Sequence, residues 1–315
     1  MRLVVTGAAG FIGSALVRSV VSSRVGDSYS IVAFDSLIRT KSWAAIDAIE
    51  AGAPIELVQG DILESTSIRD ACRGADAVVH CAAETSVDAS FEQGTRFHRA
   101  NVEGSRQVAQ AALAEGVRAF VHFSTDEVYG EVLHGNVPET AQLRPTNPYS
   151  QSKAAAEAAV FEVFKGTDVR VIVVRPSNNY GPWQTADNLI PRFVTLMSTG
   201  QRAPLYGSGE QSRCWVHVDD TVRAVMTLLE DSAAEGIFNI GGEELSNQRV
   251  VQHLLDQLDL DWSWVEHVEG RPVHDARYSN DEARLRSMGY ERTRRFVDEI
   301  GAVVAHYRSR SAFAD

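Results

Sequence analysis

The chain has 315 residues, 44% hydrophobic and 23% charged, with a formal net charge of -12. That length suits one large domain or two modest ones, and the acidic balance argues against nucleic acid, whose phosphates need a basic patch. Cys72, Cys81 and Cys214 are scattered and odd in number, which points to free thiols in a reducing, cytoplasmic setting, and the sequence shows no secretory or membrane-spanning segment.

In chain order, short apolar runs alternate with helical patterns. Leu3–Thr6, Ser30–Phe34, Ile55–Gln59, Ala77–Cys81, Ala119–Phe123 and Val169–Val174 read as strands apolar on both faces. Phe11–Ser23, Trp43–Ala51, Glu92–Glu115 and Tyr149–Lys165 read as helices between them. This alternation predicts an α/β fold, a doubly wound parallel Rossmann sheet with right-handed crossovers. After about Pro176 prolines and glycines multiply. The expected division is a dinucleotide-binding domain over 1–178 and a smaller substrate-binding lobe over 179–315. Trp215–Val218 and Gly236–Ile240 are expected to be strands returning to the main sheet, so that about 214–242 rejoins the first domain. His80 and Cys81 are adjacent and would point to opposite strand faces, so no metal site is expected there.

The first strand runs into Gly7-Ala8-Ala9-Gly10-Phe11-Ile12-Gly13 at the head of a helix. Gly7 suits the turn, Gly10 a close approach and Gly13 helix–strand packing, so that backbone amides and the helix N-terminus can meet a pyrophosphate. Asp35 ends the next strand, where a carboxylate accepts from ribose hydroxyls and repels a 2'-phosphate. The cofactor is therefore read as NAD, with Arg39 and Lys41 keeping NADP open. Asp61 and Ile62 follow the third strand, where Asp61 reads equally as an adenine contact or a helix N-cap. Ala82 and Ala83 follow the fourth, small enough for backbone to lie against a cofactor.

Thr125-Asp126-Glu127 follows the fifth strand, and Tyr149 and Lys153 lie four apart in a helical pattern. That spacing puts phenol and ammonium on one face, where the lysine would lower the tyrosine pKa and make it a usable base. The chain has only three lysines, so the spacing is a poor candidate for coincidence. Thr125 can hold a substrate oxygen. Two adjacent carboxyls add an acid and a base that a simple redox reaction does not need.

With these motifs the chain resembles the extended short-chain dehydrogenase/reductase family, and within it the nucleoside-diphosphate-glucose 4,6-dehydratases that act on dTDP-glucose. The resemblance rests on Ser124–Gly130, Ala82-Ala83-Glu84, Tyr149–Lys153, Asn178–Pro182, Leu189-Ile190-Pro191, Pro204–Gly207, Asn239–Gly242 and Arg271–Asp275. It implies an NAD-dependent hydro-lyase. Tyr149 takes the 4-hydroxyl proton, Glu127 the C5 proton, and Asp126 protonates the leaving C6 hydroxyl. Thr125 orients the 4-oxygen, Lys153 holds the nicotinamide ribose, and Asn179 joins the cofactor contacts. It further implies that Thr85, Asn178, Asn188, Leu189, Pro204, Leu205, Tyr206, Arg213, Asn247, Arg271 and His274 meet the nucleotide sugar. For the chemistry to run, Asp126 must stay protonated and Glu127 ionised at neutral pH.

Departures from the family pattern cluster toward the sugar and diphosphate. Thr85-Ser86 replaces a serine–histidine pair, Asn188 a lysine, Cys214 an acidic residue and Val273 a glycine. Two other readings use the same scaffold: a sugar-nucleotide 4-epimerase or decarboxylase, against which Asp126-Glu127 argues, and a noncatalytic NAD-binding regulator. The alanines of Glu92–Glu115 and Tyr149–Lys165, with the family habit, lead to an expected homodimer.

Overall fold

The computed structural model describes residues 1–22, 29–40, 42–47, 54–270 and 275–311. Its strands are β1 Arg2–Thr6, β2 Ser30–Asp35, β3 Ile55–Gln59, β4 Ala77–His80, β5 Ala119–Phe123, β6 Arg170–Pro176, β7 Asn178–Tyr180, β8 Ala203–Tyr206, β9 Ser212–His217, β10 Gly236–Ile240, β11 Glu243–Ser246 and β12 Val265–Val268. The α-helices are α1 Phe11–Ser22, α2 Ala44–Asp47, α3 Ser65–Cys72, α4 Val87–Glu92, α5 Gly94–His98, α6 Gly104–Ala114, α7 Pro148–Phe164, α8 Leu189–Ser198, α9 Val218–Glu230, α10 Asn247–Leu258, α11 Ala283–Ser287 and α12 Phe296–Ser311.

Seven strands form one sheet in the order β10-β6-β5-β4-β1-β2-β3, every pair parallel. Alternate side chains of one strand serve two cores, because successive residues point to opposite faces. Leu3 and Val5 of β1 pack under α1 and α9, whereas Val4 packs under α3, α6 and α7. Each fully buried aliphatic side chain contributes about 1.5–3 kcal/mol of transfer free energy, which is why the inner strands carry no polar alternation. The edge strand β3 differs: its Leu57 is 45% exposed, so the expectation of burial on both faces fails at the sheet margin.

A third core gathers Tyr180, Phe193, Val194, Trp215, Leu254, Phe296 and Ile300 from the second half of the chain. Beside it are two small sheets, β11-β9-β7 and β12-β8. Of the two segments expected to return to the main sheet, Gly236–Ile240 pairs with β6. Trp215 does not return: β9 lies between β7 and β11, and Val218 already begins α9. An apolar run identifies a strand but carries no information on its partner. Arg170 at the start of β6 clamps the far end of this excursion, donating to the carbonyls of Leu228, Leu229, Asp231 and Ala234 at 2.6–3.2 Å.

The predicted helix Glu92–Glu115 is broken. Its segments α5 and α6 flank a π-helical turn at Arg99–Glu103, a wide turn often found beside functional sites. Gly104 follows it, and a Cβ there would lie 2.5 Å from Ile62 Cδ1. Trp43–Ala51 is described only as far as Asp47, where α2 ends. No helix among the described residues is long and apolar enough to cross a membrane. Cys72, Cys81 and Cys214 are free thiols.

Candidate active site

The carboxyl ends of the strands open into a cleft of about 890 Å³, at the position where doubly wound sheets bind ligands. The first wall is mostly backbone. Gly7 turns with φ +67°, and a Cβ on Gly13 would lie 2.2 Å from the Gly7 carbonyl oxygen. The turn is therefore packed against α1 with no room for a side chain. Ala9 N–H donates to Asp35 Oδ2 at 3.1 Å, and Leu37 N–H to Oδ1 at 2.8 Å. Asp35 thus ties the glycine turn to β2 while lining the cleft, and burial pushes its carboxyl up from the usual range. A cradle that a single Cβ would fill, with a carboxylate at its rim, fits a dinucleotide.

Gly10, Phe11, Ile12, Asp61, Ile62, Ala82, Ala83 and Asn179 line the same cleft. Asp61 is not the N-cap of α3, a position held by Glu64. Its Oδ1 accepts from Leu63 N–H at 2.9 Å in a local turn. Asn179 is held from both sides, its Oδ1 accepting from Thr221 Oγ1 at 2.6 Å and its Nδ2 donating to the Ser177 carbonyl at 3.0 Å. At the rim Arg39 bridges two carboxylates, Glu84 and Asp187, each at 2.9 Å.

The second wall is made of side chains. Thr125 caps a 3-10 turn over Asp126–Tyr129, its Oγ1 accepting from Glu127 N–H at 3.3 Å. Asp126 is 3% exposed, and its Oδ2 has no hydrogen-bond partner among the described residues. Burial first, then the neighbouring Glu127, pushes its carboxyl up to about 7, against smaller opposing effects of Ser177, Arg213 and Thr125. An acid in such surroundings retains its proton near neutrality. Glu127 is less buried, and its Oε2 accepts from Asn147 Nδ2 at 3.0 Å. Thr125, Asp126, Glu127 and Tyr149 all line the cleft.

Tyr149 and Lys153 both sit in α7, which starts at a full capping box on Asn147 with Pro148 in the first turn. Lys153 Nζ donates to the Phe123 carbonyl at 2.5 Å, and burial lowers it to about 8. The Tyr149 phenol is pushed upward by burial and by Glu127 and lowered in part by Thr125. The carbonyl at the end of β5 takes the ammonium.

A buried network supports this wall. Arg175 pairs with Glu157 of α7 at 2.5 Å and donates to Tyr129 Oη at 2.8 Å, and Tyr129 Oη donates to Asn239 Oδ1 at 2.8 Å. It joins β6, α7, the 3-10 turn and β10. Removing one partner of such a pair costs about 3–5 kcal/mol.

The expected nucleotide-sugar contacts divide. Thr85, Asn178 and Asn188 line the cleft, with Asn188 Nδ2 held by Thr185 Oγ1 at 2.9 Å. The Leu205 side chain is buried in the third core, packed beneath Gly209, while Pro204 and Tyr206 alternate to the other face of β8. Leu189 also packs against that core, and Asn247 opens α10. Arg213 is buried, donates to the Ser212 and Asp275 carbonyls at 2.7 and 2.9 Å, and lies 4.3 Å from the Tyr278 ring centroid. Arg271 and His274 lie outside the described residues. Sequence reasoning missed Asn147 and Tyr278, although Asn-Pro ahead of a helical pattern is a readable cap signal.

The sequence model of the NAD dependent epimerase/dehydratase family matches residues 3–241, and the chain belongs to that family. More particularly, it is 41% identical to a dTDP-glucose 4,6-dehydratase of Streptomyces griseus, over 99% of this chain and 95% of that one. Among solved structures it is similar to the dTDP-glucose 4,6-dehydratase DesIV of Streptomyces venezuelae with NAD and dTDP bound. That likeness has a TM-score of 0.95 and 38% identity, covering 99% of this chain and 98% of that one. The UDP-glucuronic acid 4-epimerase of Bacillus cereus shares the fold at TM-score 0.92 and 25% identity, over 98% and 100% of the two chains.

Proposed function

We propose that this chain is an NAD-dependent nucleotide-sugar 4,6-dehydratase, converting an NDP-glucose, dTDP-glucose first, into the NDP-4-keto-6-deoxy sugar. The observation that carries the proposal is the pair Asp126 and Glu127. They are adjacent carboxyls in one cleft with Tyr149, and their surroundings differ in burial and partners.

Bound NAD, seated on the glycine turn and Asp35, supplies acceptance of a hydride from C4 and its return to C6. Tyr149 receives the 4-hydroxyl proton while Thr125 holds that oxygen. The resulting 4-ketone acidifies the C5 hydrogen, which Glu127 takes as a proton. Asp126, protonated in its buried position, gives its proton to the C6 hydroxyl, and water leaves. Glu127 then returns its proton to C5. Lys153 places the nicotinamide ribose. Asn178 and Asn188, which line the cleft, are assigned to the nucleotide sugar, and Pro204, Tyr206, Asn247, Arg271 and His274 to the nucleoside diphosphate.

Residues 1–178 with α9 and β10 are assigned to the cofactor and 179–315 otherwise to the nucleotide sugar. A cytoplasmic homodimer through α6 and α7 completes the reading, and a monomer in light scattering at micromolar concentration overturns that last part. The activity is tested by incubation with dTDP-, UDP-, GDP- and CDP-glucose and with UDP-glucuronic acid, and mass analysis of the products. Loss of one water without net consumption of NAD is expected. A product of unchanged mass means an epimerase, and loss of carbon dioxide from a uronic acid substrate means a decarboxylase. No product from any sugar nucleotide despite bound NAD means a noncatalytic protein.

A further inference from the structure

Asn147 uses both ends of its amide. Oδ1 accepts from Ser150 N–H at 2.8 Å, closing the cap of α7, and Nδ2 donates to Glu127 Oε2 at 3.0 Å. A cap requires only the acceptor, which Ser or Asp supplies equally well. The donor is what asparagine adds, and the cap fixes the direction in which it points, because the amide is planar.

The surroundings hold this residue still. Asn147 is 4% exposed, and Ser150 Oγ accepts from its N–H at 3.2 Å and donates to its carbonyl at 3.0 Å. The preceding Thr146 donates through Oγ1 to Asp275 Oδ2 at 2.5 Å, and Tyr278 Oη donates to the same carboxylate. Two residues further back, Arg144 N–H donates to the Val128 carbonyl at 3.0 Å, which ties this stretch to the turn carrying Glu127. The segment 144–147 is thus fastened at one end to the Glu127 turn and at the other to the helix of Tyr149.

We propose that Asn147 is a positioning residue for the elimination step: by holding one oxygen of Glu127 against the N-terminus of α7, it fixes that base relative to Tyr149. The inference rests on the dehydratase reading, in which Glu127 removes the C5 proton while Tyr149 handles the 4-hydroxyl. One proton leaves the oxygen on C4 and the other leaves the adjacent carbon C5 of the same sugar ring, so base and tyrosine need one set spacing. A misplacement of about 1 Å costs roughly 10²-fold in rate. The amide donor orients the carboxylate plane without contributing a charge of its own.

The test is Asn147→Asp, which keeps the cap acceptor, removes the N–H donor and sets a second carboxyl against Glu127, paired with Asn147→Ser, which removes the donor without adding a charge. The expected aspartate variant folds with a lowered thermal midpoint, because its carboxyl is buried beside Glu127, and with unchanged NAD affinity. On mixing with the sugar nucleotide, reduced-cofactor absorbance rises at the wild-type rate and then persists. Solvent deuterium incorporation at C5 and release of water both fall by about 10–100-fold. Asn147→Ser also retains a cap, with a shorter side chain, and shows a smaller fall confined to the same step; it carries the test if the aspartate variant does not fold. Wild-type elimination in the capped variant overturns the inference, and so does an equal fall in oxidation and elimination, the mark of a merely structural role. If the wild-type protein itself removes no water from any NDP-glucose, it is the dehydratase reading that fails.

Discussion

On one side of the cleft, Gly7 and Gly13 leave no space for a single methyl group, and the polar contacts run largely through backbone N–H groups. On the other, Asp126, Glu127, Asn147, Tyr149 and Lys153 place ionisable and amide side chains in a nearly dry wall. The first wall works by shape, so its substitutions act through overlap and are insensitive to pH. The second works by charge placed out of water, so removing one proton or one donor changes it without moving the backbone.

Four substitutions probe this contrast, from the largest expected effect to the smallest. Glu127→Gln should slow water loss by about 10²–10⁴-fold, the usual contribution of a positioned base, while equilibrium dialysis shows NAD affinity unchanged. Wild-type dehydration by this variant removes Glu127 from the mechanism. Gly13→Ala forces a Cβ against the Gly7 carbonyl, and overpacking of this kind costs about 1–3 kcal/mol. A drop in denaturation midpoint accompanied by weaker NAD binding is expected, equal at pH 6 and pH 8.

Asp126→Asn should act in the opposite direction on stability. A carboxyl whose folded pKa is raised to about 7 stabilises the fold relative to the ionised form at low pH, and that contribution is lost as pH rises through about 7. The variant should therefore gain about 2 kcal/mol on wild type between pH 5 and pH 8, read from urea midpoints at both values, while losing dehydration. An identical pH dependence in the two proteins would place the ionisation elsewhere. Last, Arg39→Gln breaks the half-exposed bridge to Glu84 and Asp187. Exposed pairs contribute about 0.2–1 kcal/mol, so NAD should dissociate only a few-fold faster, with the difference vanishing in high salt.

The first wall was the more legible in the sequence. Glycine spacing after an apolar strand, with Asp35 at the next strand end, is a local pattern, and its geometry follows from covalent constraints on a few neighbouring residues. The acid–base wall was legible in its residues but not in its couplings. That Asn147 reaches Glu127, or that Lys153 turns to the Phe123 carbonyl, depends on how α7 docks on β5. Leu205 shows the same limit, since a motif places the residue but the alternation of β8 decides which side faces the core. The misplaced strand 215–218 and the broken helix 92–115 are failures of range: the pairing of β9 with β11 and the closeness of Gly104 to Ile62 join residues distant in the chain.

The hook formed by Arg170 bears on where this protein can be cut. β6 reaches its outer neighbour β10 only after the chain has travelled through the third core. A fragment ending at residue 178 would keep the glycine turn, Asp35, Asp126, Glu127 and Tyr149, yet leave β6 as an unpaired edge of apolar residues. Such edges template association between chains. Loss of β10 would also strip Tyr129 of Asn239. The seven-stranded sheet is thus contiguous in space but not in sequence, and residues 1–178 are not a portable module.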